Sequence, residues 1–323
     1  MLAIIYALVA IVTVPVPASA RSQSSAGELV VVNQFTHTVS LVDLATRKEI
    51  GNVSVGVNGH EVTVSPDGRY AYVPIYSNVV VGQPGTNGNH IDVVQLNPFK
   101  VVRSIDLGKA VRPHRALFAP NGLLYVTAEL DNALYAVDVR KDEVVAKIPS
   151  GQPETHMFVI SKDGRLAFTA NISGGSVSVL DLKKHALVSV IPISKSVQRI
   201  SLSDDGRWVF VHDQERPRIA VIDTKADKVD GFIALPNVAF SSAPTLDGKW
   251  LIALTGSQLQ KIDLKSRKVI ASFDLPGSGQ SLYIDAYASC IGSGKIAGLN
   301  LSTWKMEPPI DLTPGVDGVA WAP

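Results

Sequence analysis

Three histidines, His60, His114 and His156, each stand eight residues ahead of a glycine that follows Asp or Asn, at Gly68, Gly122 and Gly164. Imidazoles repeated at one place of a recurring unit suit two chemistries: ligation of Zn, Cu or Mn, and proton transfer near neutral pH. The same offset falls on Gln198 and Phe240, and alignment extends it to Gln280 and Asp317. Asp317 would add a carboxylate to a metal set of His60, His114 and His156. One residue further along stand Glu61, Arg115, Met157, Arg199, Ser241 and Ser281. Arg115 and Arg199 can fork onto a ligand carboxylate or phosphate, while Glu61 can act as a base or orient His60. The same residues also suit a plainer role, as hydrogen-bonded polar groups lining a water-filled channel or as rim charges that pair with one another.

The elements that must position these residues follow from a repeated phrase. An alternating apolar strand, a tight Asp-Gly or Asn-Gly turn and a second alternating strand recur at Val62 to Val73, Leu117 to Val126, Phe158 to Thr169, Ile200 to Val211 and Ala243 to Leu254. Such turns are strong hairpin signals because their central residues tolerate positive φ. The last three intervals between turn glycines are each 42 residues, and a third strand ending in a Val-Asp, Leu-Asp or Ile-Asp step recurs at Asp43, Asp138, Asp181, Asp223 and Asp263, followed by a fourth apolar strand. Four antiparallel strands in a unit of this length predict an all-β, seven-bladed β-propeller. The first unit lacks an innermost strand, and residues Asp317 to Ala322 align with it, so the C-terminal strand is expected to close the ring on blade 1. Gln280 to Leu312 reads as a degenerate seventh blade without an Asp-Gly turn.

This register sorts the chain between two faces. His37, His60, His90, His114, His156 and His212 fall on the face away from the Asp-Gly turns, called the top, and only His185 falls on the other. The ends of second strands bring Tyr76, Glu129, Asn171 and Asp213 to the same side, so Tyr76, Glu129 and Asn171 join Glu61, Arg115 and Arg199 as candidate ligand-binding residues. Between Gly68 and Gly122 the interval is 54 residues, and most of the surplus lies in Ser77 to His90, a glycine-containing top loop beside His60 and His114. Long loops inside compact repeats often serve as lids.

Tyr125-Val126-Thr127-Ala128, Phe168-Thr169-Ala170-Asn171 and the Ser65-Pro66-Asp67-Gly68 turn give the chain its likeness to a known group. It resembles the YVTN-repeat β-propellers, a WD40-like, extracytoplasmic family, and is similar to cytochrome d1-type and nitrous oxide reductase propellers and to lactonases. The resemblance implies a fold and leaves the function open. It favours a non-catalytic binding or accessory protein holding a small molecule or metal ion at the top mouth. A lactonase-like hydrolase or lyase using metal or histidine acid-base chemistry at that mouth is the alternative. A protein partner on the top face ranks last, because Tyr76 and Phe35 are the main aromatic anchors there.

Composition narrows the remaining classes. The 323 residues are 46% hydrophobic and 18% charged with a formal net charge of +1, which gives no basic footprint for nucleic acid. Cys290 is the single cysteine, so an intrachain disulfide is excluded. Leu2 to Val14 are apolar apart from Thr13, and Ala18-Ser19-Ala20 follows, so residues 1–20 read as a signal peptide. Residues 21–323 are then expected as one periplasmic or secreted domain, with no stable membrane span after cleavage.

Overall fold

The computed structural model describes residues 27–79, 83–283 and 286–323. The proposed signal peptide lies outside them. They form seven antiparallel sheets arranged as a closed β-propeller, each of four strands, the last with its outermost strand split into Lys305–Met306 and Ile310–Asp311. Blade 1 is closed by the C-terminal strand Val316–Ala322, which pairs antiparallel with Glu28–Asn33. The expected seven-bladed ring and its closure are both present.

The repeated turn chemistry accounts for the regularity. In four blades a Ser or Thr hydroxyl donates to the Asp of the Asp-Gly turn, from Ser65 to Asp67, Ser161 to Asp163, Ser203 to Asp205 and Thr245 to Asp247, each at 2.6 Å. The following glycine takes the positive φ that the turn demands, +68° at Gly164. In five blades the third strand ends in an aspartate that caps the next turn through backbone N–H groups: Asp181 accepts from Lys183 and Lys184, and Asp223 from Lys225 and Ala226. His185 holds the left-handed position of that turn in blade 4, as Arg267 does in blade 6.

Seven apolar clusters hold the ring together, one at each blade interface. Val30, Val32 and Leu41 of blade 1 meet Val62, Ala71 and Val73 of blade 2, and at the seam Leu29 and Val31 meet Ile296, Ile310 and Val319. Between blades 6 and 7, Trp250 packs edge-on against Trp304 at 5.8 Å with the Lys261 ammonium over both rings. Cys290 is buried and reduced, and burial pushes its thiol up to about 11, so it behaves as a core residue. Among the described residues no helix is long and apolar enough to cross a membrane.

Candidate functional site: a closed histidine cluster over an open channel

The inner strands deliver their side chains through a shared irregularity. In a regular strand His114 and Arg115 would point to opposite faces. The pairing register shifts between Pro113 and Ala116, and again between Thr155 and Met157, Val197 and Ile200, and Gly279 and Leu282. Such bulges re-aim side chains, and here two successive residues of one strand both turn to the axis. The result is two stacked layers.

The upper layer is the histidine cluster. Ring centroids of His60 and His114 lie 5.1 Å apart and those of His114 and His156 3.8 Å apart, with Tyr76 edge-on to all three. Glu129 accepts hydrogen bonds from the Tyr76 hydroxyl and from His156 Nδ1, both at 2.7 Å. Gln34 Nε2 stands 2.8 Å from His60 Nε2, and Asp317 Oδ2 lies 3.2 Å from His60 Nδ1 without hydrogen-bond alignment. Arg112 spans the cluster, 3.8 Å from Glu129, over the Tyr76 ring, and donating to Asn87 Oδ1 and the Gln83 carbonyl in the expanded blade 2 loop.

The lower layer is an ion-pair triad. Glu61 Oε2 accepts from Arg115 Nη1 at 2.7 Å, and Oε1 from Arg199 Nη1, which also reaches Ser281 Oγ at 3.3 Å. Ser281 in turn donates to Asp317 Oδ1 at 3.2 Å, linking the layers. Beside the triad, His212 Nε2 lies 2.8 Å from Ser242 Oγ, itself 2.7 Å from Ser201 Oγ.

Protonation states follow from this packing. Burial opposes charge on Glu61, but Arg199 and Arg115 outweigh it and hold the carboxyl below its usual range. Glu129 is likewise lowered against its burial by His156, Tyr76 and Arg112. Burial, then His156 and His60, then the two arginines keep His114 well below the ordinary imidazole value. Burial and Arg199 bring His212 down to about 3. The Tyr76 phenol is pushed far up by burial and by the Glu129 carboxylate.

The arrangement departs from the sequence expectations in four ways. His60, His114, His156, Tyr76, Glu129 and Asp317 are all buried, with Gln34 against His60 and Arg112 over the Tyr76 ring, rather than lining an open mouth. The open space lies on the other side of the triad, a cavity of about 280 Å³ ending at Glu61, Arg115 and Arg199. It is walled by Leu117, Met157, Val159, Leu202 and Val319, and it opens among residues of the Asp-Gly turn face such as Asp204 and Leu246, the latter 67% exposed. Glu61 orients the arginines and not His60, and Arg199 is a buried ion-pair partner rather than a rim charge. Asn171 stays within blade 4, bonding Ser176 and Ser178, and takes no part in either layer.

A metal at the cluster would need free ring nitrogens that face one another. His114 Nδ1 and His156 Nε2 are buried without partners, whereas His60 has Gln34 and Asp317 beside its ring. The His114 and His156 rings lie against each other, 3.8 Å between centroids and tilted by 39°, and among the described residues no three His, Cys, Asp or Glu side chains are disposed to hold a metal ion. As arranged here the cluster does not fit a three-ligand metal site. Gln34, Arg112 and Ser242 were not singled out from the sequence. Only Arg112 carried a local signal, standing two residues before His114 at the strand entrance.

No protein-family profile matches the chain, and no curated protein matches it. Solved structures do. Dihydro-heme d1 dehydrogenase NirN, in a complex with DHE, aligns with a TM-score of 0.69 at 16% identity, over 94% of this chain and 77% of its own. Hydrazine synthase of Kuenenia stuttgartiensis aligns at 0.67 and 19%, over 89% and 93%. A functionally unknown protein from Desulfotomaculum acetoxidans aligns at 0.75 and 15%, over 92% and 99%. The likeness is one of fold. Those propellers share the architecture, and the residues of the two layers must speak for this chain's chemistry.

Proposed function

We propose that this chain is an extracytoplasmic, non-catalytic ligand-binding propeller of the YVTN-repeat type, whose central channel takes a small molecule from the Asp-Gly turn face. The observation that carries this reading is the cavity itself: a concave, mostly apolar space on the ring axis with polar groups gathered at its inner end, the usual anatomy of a small-molecule site. The closed upper layer supports it by supplying a rigid floor. The N-terminal apolar run and the YVTN-like phrases support an extracytoplasmic setting.

The test uses N-phenyl-1-naphthylamine, a neutral apolar fluorophore. One equivalent should bind with enhanced emission, and Val159→Phe or Leu202→Phe, each filling the channel, should abolish binding while the circular dichroism stays unchanged. Retained binding in both folded variants would sink the reading.

A transition metal at the histidine cluster is a second reading, favoured by one observation. Glu129 holds His156 Nδ1 and leaves Nε2 free, as carboxylates do behind metal-bound imidazoles. It requires the His114 ring to turn from its present contact with His156. Metal analysis of protein purified without chelator, with a thermal shift on adding Zn, Cu or Mn, decides it; no metal and no shift removes it.

A further inference from the structure

The channel reading leaves open what kind of molecule the channel takes, and the lower layer narrows it. Resting on that reading, we propose that the inner end of the channel binds the carboxylate of an amphipathic organic anion, with its apolar body along the channel wall.

Three observations support this. First, Glu61 divides its two oxygens between two guanidiniums, and among the described residues each arginine engages through Nη1 alone. Arg115 is 26% exposed toward the cavity, with Nη2 unengaged, and its Nε is buried without a partner. A guanidinium carries five N–H donors, so most of the hydrogen-bonding capacity at this end is unused. Second, the neighbouring Ser241 lines the same end and adds a hydroxyl that can donate to a bound oxygen. Third, the cavity lining at this depth holds two cations and one anion, while Asp317 sits one layer above, reached through Ser281. A single negative charge balances the lining, whereas a phosphate dianion would leave an excess in an apolar channel.

The wall beyond the triad sets the rest of the molecule. Leu117, Val159, Leu202 and Val319 offer no charge until Asp204 at the opening, where it is paired with Lys162 at 2.9 Å. The ligand class is therefore a monocarboxylate with an aliphatic or aromatic tail.

Calorimetric titration with octanoate, 1-octanol and octyl phosphate tests the proposal. Octanoate should bind at least about tenfold more tightly than the alcohol, which is about 1.4 kcal/mol, and more tightly than octyl phosphate. Arg115→Gln should remove the preference while leaving alcohol binding intact, and Arg115→Lys should restore part of it. Equal affinity for octanoate and octanol, or an undiminished preference in folded Arg115→Gln, overturns the carboxylate assignment and leaves the channel standing. A stronger grip on octyl phosphate replaces it with a phosphate site. Failure of all three to bind, together with failure of the neutral fluorophore, overturns the channel reading and this inference with it.

Discussion

Glu61 is the residue on which both layers lean. It is buried, ionised and shared by Arg115 and Arg199, so its removal strands two guanidiniums with no opposite charge in contact. Breaking a buried pair by deleting one partner typically costs about 3–5 kcal/mol. Glu61→Gln should therefore lose about that much in urea unfolding at pH 7, and a change under about 1 kcal/mol would mean that water reaches the triad freely. The imidazoles make a separate prediction about pH. A lowered folded-state pKa means that the unfolded chain binds more protons, so stability falls as pH drops below the ordinary histidine value of 6.5. His114 and His212 contribute in that window down to about 3 for His212, whereas the loss from Glu61 and Glu129 begins only below about their ordinary 4.5. Urea midpoints measured between pH 7 and pH 5 should decline, and His212→Gln should flatten the decline. A flat wild-type profile there would show that the buried imidazoles take up protons in the folded state.

At the scale of the strand, the bulges explain why the layers exist and why only part of the site was legible in the sequence. The Asp-Gly and Asn-Gly phrases located the hairpins, and a constant offset of eight residues from the turn glycine placed His60, His114 and His156 at equivalent points, because turn chemistry and period-2 alternation are local properties. Which way the cavity opens depends on Gln34, Tyr76 and Arg112, which arrive from different blades and carry no shared offset. Their convergence is a product of ring closure, not of spacing. The closing strand brings a further requirement. A Cβ on Gly318 would lie 2.5 Å from the His60 carbonyl oxygen and 2.7 Å from Glu61 Cα, both backbone atoms that cannot swing aside. Gly318 N–H also donates to that carbonyl at 2.8 Å. Gly318→Ala must push the blade 1 strand away from blade 2, and overpacking of this kind costs about 1–3 kcal/mol. The expected result is a lower thermal midpoint together with weakened octanoate binding, since Glu61 moves with the strand. Gly164→Ala, in a turn far from the layers with φ of +68° and Pro120 at 2.8 Å, should lower the midpoint and leave binding unchanged. The pair separates damage to the fold from damage to the site.

For the whole molecule, the seam between the chain ends decides whether seven sheets behave as one body. Each blade packs on two neighbours through an apolar cluster, and the Val316–Ala322 strand belongs to blade 1 while Val319 also packs against blade 7. That strand supplies Asp317 to the upper layer and Val319 to the channel wall as well. Deleting residues 316–323 therefore removes more than one strand's hydrogen bonds. It exposes the inner edge of Glu28–Asn33, uncovers Leu29, Val31 and Ile296, and leaves the channel open on one side. An unpaired apolar edge is a template for pairing with another chain. The truncated protein should lose its single cooperative thermal transition, bind neither octanoate nor the neutral fluorophore, and elute as dimers or larger species. Supplying the missing strand as a synthetic peptide of residues 314–323 should restore the monomer and part of the binding, because the edge it fills is otherwise intact. A truncated protein that stays monomeric, unfolds in one step and still binds octanoate would show that six complete blades suffice, and that the seam is not what makes the ring cooperative.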